Sequence, residues 1–151
     1  MVAENAAGTA QIKAILGKVR DPELPMISIC DLGIVRRIEE GGGQYTVVIT
    51  PTFSGCPAMT MIEQNIAAAL AEAGVESFRI VKELSPPWQS TDVTEAGRKL
   101  LMANGIAVAC EGVRCPHCQS DNTETVSEFG ATACKRFARC RCCREPFEVF
   151  K

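Results

Sequence analysis

One histidine, one tryptophan and one tyrosine occur in the 151 residues of this chain. Nucleophilic hydrolysis through a cysteine or serine needs an imidazole base, and the single His117 lies between two cysteines in the C-terminal segment, so that chemistry is not expected. Long apolar runs are also missing: no unbroken stretch approaches the roughly 18 to 20 residues that a helical membrane span requires. Excess positive charge is lacking too, with 16 Lys and Arg against 18 Asp and Glu and a formal net charge of −2. A basic stripe of the kind that tracks phosphates is therefore absent, and nucleic acid is not an expected partner. The opening MVAENAAGTA has neither the basic cluster nor the apolar core of a secretory signal, which makes the cytoplasm the expected compartment. Internal repeats and low-complexity tracts are absent as well.

What the chain does have is cysteine, nine in all. In a reducing compartment structural disulfides are rare, so metal binding or thiol chemistry is the expected use. Cys30 and Cys56 stand far apart, whereas the other seven fall between Cys110 and Cys143. Charge divides in the same way, with a net of −4 over residues 1–112 and +2 over residues 113–151. If four cysteines of the second segment hold Zn²⁺ as thiolates, that segment becomes about neutral. Two domains are expected.

Ile12, Ile15, Leu16 and Val19 recur at helical spacing, and Asp21-Pro22 stops the run, predicting a helix over Thr9–Arg20 after a flexible stretch at residues 1–8. Gly33–Glu39 and the alternating Tyr45–Thr50 read as a hairpin around Gly41-Gly42-Gly43. Met59, Ile62, Ile66 and Leu70 mark a second helix, beginning at Cys56-Pro57 and ending at Gly74. Phe78–Leu84 reads as a third strand. The first domain, residues 9–105, is thus expected to be a small α-β-β-α-β sandwich of the α+β class, with both helices on one face of the sheet. Asp92 to Glu95 has the spacing of a helix cap before a short helix that ends near Asn104-Gly105. Residues 106–112 read as a linker.

From Arg114 the spacing is that of a metal module: Cys115-x-x-Cys118, 21 intervening residues, then Cys140-x-x-Cys143 and a strand-like Pro146–Phe150. Two such knuckles bring four thiolates onto one tetrahedral ion, giving a C-terminal zinc ribbon of rubredoxin-like form over residues 113–151. A segment this short buries too little apolar surface to fold alone, so the metal has a structural role, supplying of order 10 kcal/mol of folding free energy. Closed four-thiolate coordination also leaves no position for a reacting water. Rubredoxin-type iron uses the same ligand set, and spacing does not separate the two metals. Cys142 adjoins Cys143 and is a competing ligand, Cys134 reads as buried support, and His117 as an exposed knuckle residue.

Cys56 follows Gly55 at a strand-to-helix turn, and Pro57 suits a first helical position. Unpaired N–H groups at such an end favour a thiolate, which makes the sulfur nucleophilic or metal-binding; the alternative is a small buried capping residue. Asp21 and Glu23 flank Pro22 on a loop that can approach Cys56 with oxygen ligands, or can simply cap and solvate a helix end. Cys30 reads as a packed small hydrophobe, and Trp88 as a packing anchor rather than a partner-binding surface.

Asp21-Pro22-Glu23-Leu24-Pro25, Asp31-Leu32-Gly33-Ile34-Val35, the loop from Thr50-Pro51 to Ser54-Gly55-Cys56-Pro57, and Ser85-Pro86-Pro87-Trp88 together resemble the small domains of SufT-like iron-sulfur maturation factors. Adding Gly97–Leu100, Asn104–Ala107, Arg114–Cys118, Phe129–Lys135 and Cys143–Phe147, the chain over residues 9–151 is similar to the PaaD (PaaJ) family, a component of bacterial phenylacetyl-CoA epoxidase systems. Gln89-Ser90 and Val93-Thr94 depart from the family pattern, which is richer there in Thr and Trp. The resemblance implies an accessory role in aerobic phenylacetate degradation with no ring chemistry of its own. Its partners would be the oxygenase and reductase subunits, whose iron or iron-sulfur centres it would help mature or insert. It further implies transient iron or a cluster at Cys56, with Asp21 and Glu23 beside it, shared across a homodimer because one cysteine cannot complete a cluster. The alternative is a rubredoxin-like electron-transfer component of the same oxygenase, with iron in the ribbon.

Overall fold

The computed structural model describes residues 2–52, 58–109, 112–131 and 135–150, with side chains from Gly8 onward. It divides into two compact units, Met1–Trp88 and Gln89–Lys151. The first is built from α1 (Val2–Leu16), β1 (Val35–Gly41), β2 (Gln44–Ile49), α2 (Met59–Glu72) and β3 (Phe78–Lys82). This is the expected α-β-β-α-β order. α1 starts earlier than the Thr9 predicted from periodicity and stops at Leu16, where Lys18 and Val19 donate to Ile15 and Leu16 in tightened turns ahead of Asp21-Pro22.

β1 and β2 pair antiparallel, and the reversal falls on Gly42 and Gly43, with φ of 61° and 77°. Two successive left-handed residues give a hairpin turn whose twist matches the strands, and glycine adopts it without a Cβ penalty. β3 lies parallel to β2 on its other side, so the chain must cross over between them, and α2 is that crossover. The helix buries Met59, Ile62, Ile66 and Leu70, the four positions expected from spacing. It ends with Gly74 at φ 85° and the Val75 N–H bonded to the Leu70 carbonyl at 2.9 Å, a Schellman closure. α1 packs against α2 and β1, with Ile12 and Leu16 buried.

Residues 17–34 have no helix or strand of their own, yet they are part of the core. Val19, Leu24, Ile27, Ile29, Leu32 and Ile34 are all buried. Backbone pairing between Arg20 and Ser28 and the bond from Ile29 N–H to the Val19 carbonyl fold the segment on itself. Trp88 is buried and donates its indole N–H to the Leu32 carbonyl at 2.9 Å, so it is a packing anchor.

The second unit contains α3 (Glu95–Ala103), β4 (Ile106–Val108), β5 (Thr123–Ser127), β6 (Lys135–Cys140) and β7 (Pro146–Phe150). Thr94 caps α3, its hydroxyl accepting from the Gly97 N–H at 3.0 Å. Asp92 instead closes a preceding one-turn 3-10 helix by accepting from the Gln89 N–H at 2.9 Å. The four strands lie in the order β4-β7-β6-β5. The expected linker at residues 106–112 is corrected here: Ile106, Ala107 and Val108 are a buried strand, paired parallel with β7, and α3 packs beside it. Three apolar residues are too few to show a period, and their partner strand lies about forty positions away, so local pattern did not reveal them. The second compact unit accordingly begins before α3 and not at residue 113.

Candidate metal centre

Cys115 and Cys118 sit in the turn that precedes β5, Cys140 ends β6, and Cys143 lies in the turn between β6 and β7. The four sulfurs all lie within 4.8 Å of one another, with Cys115–Cys143 at 3.7 Å and Cys118–Cys140 at 3.5 Å. A tetrahedral ion with bonds of about 2.3 Å to sulfur sets its ligands roughly 3.8 Å apart, so the quartet fits a four-coordinate zinc or iron. Neither His117 nor Cys142 belongs to it: both are exposed on the knuckle tips.

The two knuckles share one backbone plan. The first cysteine of each donates its N–H to the carbonyl five residues on, Cys115 to Ser120 at 2.8 Å and Cys140 to Glu145 at 3.0 Å. The first sulfur of each accepts a backbone N–H from within the turn, Cys115 from His117 at 3.3 Å and Cys140 from Cys143 at 3.4 Å. The residue after the second cysteine is left-handed in both, Gln119 at φ 67° and Arg144 at φ 68°. Neither is glycine, so each knuckle holds a side chain in a conformation that costs an L residue free energy. Those two positions carried no sequence signal, because glycine would have announced the turn.

Ala107, Ala138, Phe147 and Val149 surround the buried Cys115 and Cys140, with Met102, Ala109 and Val113 packed at the edge. The Cys143 N–H aimed at its sulfur brings the Cys140 thiol down to about 6, against the opposing effect of burial. Cys143 moves the other way: a backbone N–H from Glu145 favours its thiolate, but burial and the sulfurs of Cys115, Cys140 and Cys118 push it up to about 12.

The first unit's candidates are less completely placed. Cys56 and Pro57, the helix start expected from the sequence, lie outside the described residues, as do Cys110 and Cys134. Ala58 already has α-helical torsions one residue before Met59. Asp21 is buried, and its Oδ1 accepts from the N–H groups of Glu23 and Leu24 at 2.8 and 2.9 Å, which closes a local turn over Pro22. Glu23 is half-buried beside it. Thr50, which opens the loop singled out in the sequence, is buried, and its hydroxyl has no hydrogen-bond partner among the described residues. Cys30 is half-buried; burial pushes its thiol up, with Lys13 opposing and Asp31 adding, as expected of a packed cysteine.

Residues 106–151 match the PaaD zinc beta ribbon domain, and residues 9–77 match the iron-sulfur cluster assembly protein domain. The ribbon match begins at the first residue of β4. The chain is 39% identical to the D component of a candidate 1,2-phenylacetyl-CoA epoxidase from Escherichia coli (strain K12), over 93% of this chain and 91% of that one. An iron-sulfur cluster carrier protein of Mycobacterium tuberculosis is 35% identical over 86 residues, 56% of this chain but only 22% of that protein. Among solved structures, a domain of unknown function, DUF59, from Bacillus anthracis superposes with a TM-score of 0.63 at 23% identity, covering 67% of this chain and 97% of its own. A conserved hypothetical protein from Thermotoga maritima does so at 0.51 and 25%, covering 60% and 89%. Among the described residues no helix is long and apolar enough to cross a membrane.

Proposed function

Because the chain belongs to the PaaD family of phenylacetyl-CoA epoxidase components, we propose that it is a non-catalytic accessory protein that helps load iron or iron-sulfur centres into the oxygenase or reductase of that system. The observation that carries this reading is the combination in one chain of an iron-sulfur assembly type unit with a closed four-cysteine site. A closed site takes up all its ligands in holding the ion and offers no position to a substrate, which directs any transfer chemistry to the other unit.

In this reading Cys115, Cys118, Cys140 and Cys143 hold one structural zinc ion, and the ribbon serves as the docking module. Cys56 receives iron or a cluster as cargo, with Glu23 as a neighbouring oxygen donor and Asp21 setting the shape of the loop through its two backbone bonds. One cysteine cannot satisfy a cluster, so two copies share it, and the protein works in the cytoplasm beside its partners.

The test is co-production of the oxygenase and reductase with either the wild-type chain or its Cys56→Ser variant, followed by iron and sulfide analysis of the purified partners. Serine retains capping ability at a helix start. The variant is expected to keep its own metal while its partners lose iron; partners fully loaded by the variant overturn the reading. The geometry of the quartet also accepts iron, which supports a rubredoxin-like electron carrier as the second reading. A red oxidised protein with one iron and no zinc would establish it, and a colourless protein with one zinc would remove it.

A further inference from the structure

The four cysteines of the quartet are not equivalent. Cys115 and Cys140 are buried, Cys143 is half-buried, and Cys118 is exposed. Cys143 packs at the edge of the apolar cluster that encloses the two buried ligands, and Cys118 is outside that cluster. The quartet is thus most open to solvent at Cys118.

Backbone hydrogen bonding divides the ligands in the same way. The sulfur of Cys115 accepts the His117 N–H at 3.3 Å, that of Cys140 the Cys143 N–H at 3.4 Å, and that of Cys143 an N–H from Glu145. Among the described residues no backbone N–H is directed at Cys118, whose sulfur lies at contact distance, 3.5 Å, from that of Cys140. A donor aimed at a thiolate withdraws charge from the sulfur and lowers its nucleophilicity. Exposure and thiolate character together set which cysteine an oxidant attacks first, and among the four only Cys118 is both open to solvent and free of such a donor.

We propose that Cys118 is the reactive ligand of the quartet, the site at which a hydroperoxide oxidises this chain, and that Cys140 is its partner in the disulfide that follows. The Cys118 sulfur attacks the near peroxide oxygen: an S–O bond forms, the O–O bond breaks, sulfur gives up two electrons, and the leaving oxygen takes a proton from water to depart as water or an alcohol. The Cys140 sulfur, which needs no access to solvent, then attacks the sulfur of the Cys118 sulfenic acid. An S–S bond forms, the S–O bond breaks, and hydroxide leaves. Cys115 and Cys143 remain as two of the four ligands a structural ion requires, so the ion is lost with the disulfide.

This assignment rests on the ribbon holding zinc, as in the function proposed above, and not on any loading role of Cys56. The experiment treats the zinc-loaded full chain, wild type and Cys142→Ser, with increasing hydrogen peroxide. Cys142→Ser removes the exposed thiol beside Cys143 and keeps all four ligands. Dimedone, which captures sulfenic acids, marks the sulfur attacked first; alkylation and peptide mass mapping locate free thiols and disulfides, and a colorimetric indicator reads released zinc.

Among the four ligands, dimedone is expected on Cys118 at about tenfold or more its level on Cys115, Cys140 or Cys143. Without the trap, a peptide linked Cys118 to Cys140 and one zinc released per disulfide are expected, in the wild type and in Cys142→Ser alike. First capture at another ligand, a Cys118–Cys142 linkage in the wild type, or zinc release with Cys118 intact overturns the proposal. A chain that keeps its four thiolates and its zinc in excess peroxide overturns it as well. A quartet that takes up iron and refuses zinc removes the structural-zinc reading and this proposal with it. The loading role is judged separately: partners fully loaded by Cys56→Ser overturn that role and leave the assignment of Cys118 standing.

Discussion

The two units solve the same folding problem by different means. The first closes its core with aliphatic side chains from two helices, a sheet and the long segment between α1 and β1. The second draws two of its buried core residues, Cys115 and Cys140, from the metal site itself. Burial of apolar area is distributed, so a single truncation weakens the first unit without abolishing its cause. Four sulfurs around one point are concentrated, and their effect depends on a single occupant. The comparison shows how a short segment with little apolar surface acquires a fixed structure, and why its stability answers to different variables.

The largest effect expected is from metal removal. A strong chelator, or Cys115→Ala, withdraws of order 10 kcal/mol of folding free energy from the second unit; the amide resonances of β4, β5, β6 and β7 should collapse while those of Ile62, Ile66 and Val47 stay dispersed. If both units unfold together, the two are not independently stabilised. Acid should act in the same direction, because protons compete with the ion for thiolates: metal retention falls as pH is lowered, measured by a colorimetric indicator, while the helical signal of the first unit persists.

Leu70→Ala is the converse probe. It empties a fully buried position and should cost about 2 to 5 kcal/mol in the first unit by denaturant unfolding, with metal stoichiometry unchanged. Thr94→Ala removes the hydroxyl that caps α3 and should cost about 1 kcal/mol. The smallest effect sharpens the comparison within the second unit itself. Gln119→Gly and Arg144→Gly relieve the left-handed strain of the knuckles, and each should raise stability by about 0.5 to 1 kcal/mol. A loss at either position would mean that the side chain makes a contact worth more than the strain it causes.

Much of this was legible in the residues. Met59, Ile62, Ile66 and Leu70 announced α2 through their spacing, and Gly42-Gly43 announced the hairpin through their conformational freedom. The four ligands were legible because a Cys-x-x-Cys turn carries its geometry in a few adjacent positions. Less legible was anything settled by distant pairing. β4 has only three residues and exists because β7 lies beside it. The segment over residues 17–34 carries a buried aliphatic set without any regular period, because it is folded by turns and not by a repeating helix or strand.

The sequence by itself therefore determined the order of elements in the first unit, the hairpin, the four cysteines that converge in the quartet and the family to which the chain belongs, since each is written in spacings of a few residues. Only the tertiary structure decided that Trp88 is a buried anchor on the Leu32 carbonyl, that His117 and Cys142 stand outside the quartet, and that Phe129 and Phe137 are left exposed. The physical reason is common to all of these. Whether a side chain is covered, coordinated or exposed depends on which residues from elsewhere in the chain arrive against it, and local spacing carries no record of that arrival.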